Sequence, residues 1–146
     1  MEPEKLSKCR SEVIEKFINI EFLTNAIISQ AYFGKISRQF LLEVLYDENF
    51  SFALKRKVLE KILIRHKLLD KPKIEDLNRL NTIRNYFAHL NIEFLDAGAP
   101  LVPNPRNPSE AVDFDKLYSE FNQKEKSSKE FLFKTLSALG GKVERE

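Results

Sequence analysis

Arg84, Asn85 and His89 lie within six residues of one another in the stretch Asn81–Phe94, which reads NTIRNYFAHLNIEF. A guanidinium is always charged, and its planar fork grips phosphate oxygens in pairs. An imidazole takes or gives a proton near neutral pH. Together they are the residue types that RNA cleavage without a metal can use. The imidazole activates the ribose 2′-hydroxyl or protonates the leaving oxygen. The guanidinium stabilises charge building on the phosphate. The nucleophile comes from the RNA itself, the product is a 2′,3′-cyclic phosphate, and DNA cannot react in this way. A second use of the same residues stays open: Arg84 paired with an acid of a neighbouring helix, with Asn85 and His89 packing a helix or dimer seam.

The stretch has helical periodicity. At about 100° per residue, Leu80, Ile83, Phe87, Leu90 and Phe94 gather on one side as a core stripe. Asn78, Asn81, Arg84, Asn85, Ala88 and His89 fall on the opposite arc, about 140° wide. That arc has no carboxylate, whereas a solvated helix face usually mixes Glu and Lys. It suits a planar or anionic ligand held close to the backbone, or a second copy of the same helix. Asn81 and Asn85 offer amides to such a ligand, and Asn85 lies one turn before His89, near enough to orient its ring.

Arg-Asn-x-x-Ala-His on a helix, inside an all-helical chain, resembles the HEPN superfamily, whose signature is Arg, four to six residues, then His. The form Ile-Arg-Asn-x-Phe-Ala-His also resembles the branch containing the mannitol operon repressor. The first resemblance implies a metal-independent endoribonuclease needing no cofactor, with Arg84, His89 and Asn85 catalytic. It implies a homodimer whose paired sites face each other, in a toxin–antitoxin or defence setting with an antitoxin partner. Small Ala88 would let the two helices approach. The second resemblance implies a non-catalytic regulator that binds a protein partner. Two residues beyond the motif histidine, toxins encoded beside small nucleotidyltransferases often carry a tyrosine; this chain has Asn91 there.

At 146 residues the chain is one domain's worth, and 42% hydrophobic residues suffice for a core. A net charge of +2 names no partner, so local clustering has to. One cysteine, Cys9, rules out an internal disulfide and argues against a thiolate metal site. The four glycines form no phosphate-binding or dinucleotide fingerprint. The start, Met-Glu-Pro-Glu-Lys, lacks the apolar run of a signal peptide, and no stretch approaches the ~18 apolar residues of a membrane span. The expectation is a soluble cytoplasmic protein with no membrane partner.

The remaining elements must position the motif. Residues 3–33 read as a long helix, with Leu6, Val13, Phe17, Ile20, Phe22, Ile27 and Tyr32 at helical spacing and Gly34 as its left-handed stop. From Phe17 its apolar residues spread round the circumference, the mark of a central helix. Ser37 caps a short second helix with Phe40, Leu41, Val44 and Leu45 inward, and Asp47–Asn49 turns the chain. A third helix, roughly 51–68, points Leu54, Val58, Ile62 and Leu63 inward. Lys55, Arg56, Lys57, Lys61, Arg65, Lys67, Lys71 and Lys73, opposed only by Glu60 and Asp70, give residues 55–73 a local charge of +6. That face is either a phosphate-backbone footprint, with Lys55, Arg56, Lys61 and Arg65 holding RNA, or a solvated surface. His66, on this helix, has no visible partner and reads as structural.

Pro72 marks the break before the motif helix, roughly 73–95. Asp96–Val112 holds Gly98 and four of the six prolines. A loop of this length is functional or a connector; folded back, it would bring Arg106 to the arc. Asp113 caps a last helix, roughly 113–139, with Phe114, Leu117, Phe121, Phe131, Thr135 and Leu139 as its stripe. Capping explains Asp113 and Asp115 better than a metal pair, there being no third ligand nearby in sequence. Gly140 and Gly141 stop that helix, and residues 140–146 read as a frayed tail. The sequence thus predicts a single all-α domain, an antiparallel up-and-down bundle of four main helices plus a short one.

Overall fold

The first helix, α1, spans Pro3–Phe33. This and all that follows come from a computed structural model that describes residues 2–90, 103–104 and 107–141, of 103–104 and 107–111 the backbone alone. Pro3 opens α1, where its missing N–H costs no helical bond. Gly34 stops it at φ 69°, a left-handed conformation that favours glycine. The first half of α1 buries one stripe, Leu6, Cys9, Val13, Phe17 and Ile20; from Leu23 to Gln30 every residue is buried. Residues 23–30 are therefore enclosed on all sides, as the spread of apolar residues predicts, whereas Ile18 before them and Tyr32 and Phe33 after them are exposed.

Helix α2 spans Arg38–Phe40 and continues as a π turn through Leu41–Leu45. Ser37 caps it, accepting from the Phe40 N–H at 3.3 Å. The wider π spacing sets Leu41 and Leu45 on the buried face and turns Val44 outward, against the expectation of an inward Val44. The Asp47 side chain accepts from the Asn49 N–H at 2.8 Å, closing the turn expected there.

Helix α3 spans Phe52–Arg65, with Ser51 accepting from the Leu54 N–H at 3.2 Å. Its buried residues are Phe52, Lys55, Leu59, Ile62 and Leu63. Leu54, expected inward, is exposed. Two tertiary contacts set this rotation: Phe52 meets Phe17 edge-on at 4.8 Å, and the Lys55 ammonium reaches Glu21 at 2.7 Å. His66 caps α3, Lys67 turns left-handed at φ 57°, and the Leu68 N–H returns to the Leu63 carbonyl at 2.8 Å.

Helix α4 spans Lys71–Ala88, with Asp70 accepting from the Lys73 N–H at 3.3 Å. Pro72 sits inside its first turn rather than before it, where an N–H has no helical partner to lose. Helix α5 spans Phe114–Ala138, and Asp113 accepts from the Lys116 N–H at 3.2 Å, the capping role read for it. Asp115 lies 3.5 Å from Lys5. Phe114, Leu117, Phe121 and Thr135 are buried as expected, and so are Glu125 and Ser128 of the polar middle. Gly140 ends the helix at φ 85°.

The contacts fix helix directions. Phe17–Phe52, Glu21–Lys55 and Tyr32–Arg65 climb together, so α1 and α3 run parallel. Lys16–Asn122 and Gln30–Leu139 make α1 and α5 parallel as well. Arg10–Leu90 and Phe17–Arg84 set α4 against α1, and Asp76–Lys124 with Arg79–Glu120 set it against α5. Because α3 begins beside Phe17, residues 34–51 must travel back along α1. Between α4 and α5 the backbone of Pro103–Asn104 pairs antiparallel with Asn107–Ala111, a short ribbon where the other elements among the described residues are helices. No helix among the described residues is long and apolar enough to cross a membrane.

Candidate functional site

Three faces of α4 do different work. Ile74, Leu77, Leu80, Ile83 and Phe87 are buried, as the core stripe requires, and so is Leu90 just past the helix end; Phe94 lies outside the described residues. A second flank is clamped to α5. Arg79 donates twice to Glu120, at 2.8 and 3.0 Å, Lys124 reaches Asp76 at 3.1 Å, and Lys73 donates to Ser127. An open cavity of about 310 Å³ on this flank is lined by Arg79, Tyr86, Lys116 and Glu120, away from the motif arc. The third face is the arc itself: Asn78, Asn85, Ala88 and His89 are exposed, and Asn81 is partly so.

Arg84 stands at the edge of that arc and leans onto α1. Its guanidinium carbon lies 4.6 Å from the centre of the Phe17 ring, a cation–π contact. Its Nη2 donates to Asn81 Oδ1 at 2.7 Å, and its Nε is buried with no hydrogen-bond partner among the described residues. The nearby acid, Glu21, is held by Lys55 at 2.7 Å. Among the described residues no carboxylate comes within ion-pair distance of Arg84. Burial pushes the Arg84 pKa down, and the Glu21 charge partly opposes this. An arginine keeps its proton regardless, so the shift means a charge short of solvation.

His89 is the cap residue of α4 and not part of the helix body expected over 73–95. Its N–H reaches the Asn85 carbonyl at 3.0 Å, and the next bond tightens to Leu90 N–H with Phe87 carbonyl at 3.3 Å. The Leu90 carbonyl then accepts from Arg10 Nη1 at 3.3 Å, which ties down the chain end beside the histidine. A cation at a helix C-terminus is also favoured by the helix dipole. His66 holds the same cap position on α3, as a structural reading allows. Arg84 and His89 thus occupy opposite margins of one open face, with Asn85 and Ala88 exposed between them.

The basic helix divides. Lys55 is corrected from an outward substrate contact: it is 1% exposed, ion-paired with Glu21, and 5.9 Å from the Tyr46 ring centre. A side chain so enclosed cannot touch a ligand while α3 keeps its packing. Lys61 and Arg65 are exposed, with the Arg65 guanidinium 5.3 Å from the Tyr32 ring centre. Arg56 is partly buried, and its Nε, like that of Arg84, has no partner among the described residues. Arg106 lies outside the described residues, and with it the fold-back of the loop onto the arc. Sequence reasoning missed Phe17 and Glu21. Their signal was a carboxylate four residues after a phenylalanine on a helix that otherwise turns apolar there.

In comparison with known proteins, the chain matches no family model, no curated protein and no solved structure.

Proposed function

We propose that the chain is a metal-independent endoribonuclease of HEPN type, acting as a homodimer in a toxin–antitoxin or defence setting. The observation that carries this reading is Arg84, a half-buried cation with an unpartnered Nε and no carboxylate in ion-pair reach among the described residues, at the edge of a face that ends in an exposed histidine. The plain alternative, an arginine saturated by a neighbouring acid, is at odds with Glu21 being held by Lys55. If α2 is counted as the returning run between α1 and α3, successive elements alternate in direction, which fits the up-and-down bundle of that superfamily.

In the proposed mechanism the His89 imidazole of one protomer takes the proton of a ribose 2′-hydroxyl, and the 2′-oxygen attacks phosphorus. The His89 imidazolium of the partner protomer gives a proton to the departing 5′-oxygen. Arg84 holds the non-bridging oxygens as charge builds, leaving a 2′,3′-cyclic phosphate and a 5′-hydroxyl. The exposed surface of Asn85 and Ala88 is the proposed two-fold seam, where one helix face meets itself. Two facing arginines would repel, and the lean of Arg84 onto Phe17 suits a place at the rim.

The test is incubation with mixed RNA in EDTA, with cyclic-phosphate ends assayed. Wild type is expected to cleave, and Arg84→Ala and His89→Ala to lose cleavage. A requirement for added Mg²⁺ would overturn the mechanism. Ala88→Glu is expected to give helical monomers without activity in sedimentation. A wild type that sediments as a monomer at high micromolar concentration removes the composite site and leaves the regulatory, partner-binding reading ahead.

A further inference from the structure

We infer that Arg56 and Arg84 form one oxyanion subsite in the groove between α3 and α4, which takes a phosphodiester of the RNA strand; this rests on the endoribonuclease reading above. Arg56 and Arg84 each carry a buried Nε without a partner among the described residues. Buried donors without acceptors are uncommon and costly, and two on facing helices call for a shared acceptor.

Helix α1 serves as a ruler for their separation. Phe17 touches both Phe52 of α3, at 4.8 Å, and Arg84 of α4, at 4.6 Å. One turn on, Glu21 pairs with Lys55 and also acts on the Arg84 charge. The start of α3 and the Arg84 turn of α4 therefore share one level. Arg56 follows Lys55 by about 100° around α3. Lys55 faces α1 and Tyr46, and Arg65 faces Tyr32, so the Arg56 flank is the opposite one, on the side of buried Leu63. Helix α4 packs against α3. Counted outward from the short link between them, Arg56 falls opposite Asn81, whose side chain already accepts from Arg84.

Two guanidinium groups at one level repel unless an anion lies between them. Neither local carboxylate serves: Glu21 is taken by Lys55, and Glu60, one turn on from Arg56, forms no ion pair with it among the described residues. Beyond its buried Nε, each planar fork carries Nη groups that match the paired oxygens of a phosphodiester. The ion pair that removes Lys55 from the basic face also takes up Glu21, and among the described residues no carboxylate comes within ion-pair distance of Arg56 or Arg84.

The experiment measures anisotropy of a labelled 2′-O-methyl RNA oligonucleotide, which binds but cannot be cleaved, across a salt series. Arg56→Gln is expected to weaken binding about tenfold and to lower the salt slope by about one, whereas Lys57→Gln on the outer face changes neither as much. Arg56→Lys restores charge without the fork and recovers only part of the loss. Asn81→Asp places a carboxylate between the two arginines; it is expected to raise the melting temperature and to weaken binding. Equal binding by Arg56→Gln and Lys57→Gln overturns the subsite, as does an Asn81→Asp variant that melts lower or binds as wild type. Inorganic phosphate that competes fully with the oligonucleotide at micromolar concentration would assign the site to free phosphate and overturn the RNA assignment. A protein that binds through Arg56 yet leaves unmodified RNA intact keeps the subsite and loses the nuclease reading. One that cleaves RNA with Arg56→Gln unimpaired loses the subsite alone.

Discussion

Arg79 and Arg84 leave the same helix five residues apart and meet opposite circumstances. Arg79 makes a two-bond clamp on Glu120, and those bonds raise its pKa despite some burial. Arg84 meets an aromatic ring and an amide, and burial lowers its pKa. The difference lies in what the neighbouring helix offers. Helix α5 presents a carboxylate at the level of Arg79, whereas α1 presents Phe17 to Arg84 and gives its carboxylate, Glu21, to Lys55. A satisfied cation fastens two helices together. An unsatisfied one rests on a ring and keeps a charge that no carboxylate among the described residues neutralises.

The largest expected effect separates the two arginines directly. Arg84→Met should lower RNA cleavage by about 10²–10³-fold, the range for loss of a charge-stabilising group, while Arg79→Met leaves the rate unchanged and lowers only the melting temperature. Equal loss in both variants would erase the distinction. A middle-sized effect comes from the acid that Arg84 does not receive. Glu21→Gln leaves the Lys55 ammonium buried and uncompensated, which should cost about 2 kcal/mol in a denaturant melt, less than the ~3–5 of a fully buried pair, because Glu21 keeps 28% side-chain exposure. A neutral result would mean that Lys55 finds another acceptor.

The smallest effect concerns the clamp and pH. Hydrogen bonds from Arg79 hold the Glu120 carboxyl below its ordinary value, with burial opposing and the Arg79 and Lys124 charges adding. A folded-state pKa below the unfolded value, ~4.3, gives stability that is full above that pH and lost as pH falls through the lowered value. Glu120→Gln should therefore melt lower than wild type at neutral pH, by about 1 kcal/mol or less for so exposed a pair. The gap between the two proteins should close in acid melts, once the pH has fallen through that lowered value. A gap that is the same at both pH values would show that Glu120 acts through packing.

Much of the chain's local order follows from sequence. Ser37, Ser51, Asp70 and Asp113 cap helices because a side-chain oxygen two or three residues before a free N–H needs only local geometry. Gly34 and Gly140 stop helices for an equally local reason. The core stripe of α4 and its open arc were legible because helical spacing alone sets which residues share a face. Those local rules brought Arg84, Asn85, Ala88 and His89 to one exposed side.

The rotation of α3 and the state of each charge were not local. Pattern favoured Leu54 inward, but Phe52 against Phe17 and Lys55 against Glu21 turned the helix by about one residue, and a lysine went into the core. No spacing within α3 encodes an acid on α1. The Leu90 carbonyl just past α4 likewise meets a group from elsewhere, Arg10, some 80 residues earlier. Sequence alone set the helices, their caps and the company that Arg84 keeps on its own face. Tertiary packing decided that Glu21 goes to Lys55, that Arg84 rests on Phe17, and hence that Arg84 lacks a carboxylate partner among the described residues, because the attraction between charges depends on distances that only the packing of separate helices can set.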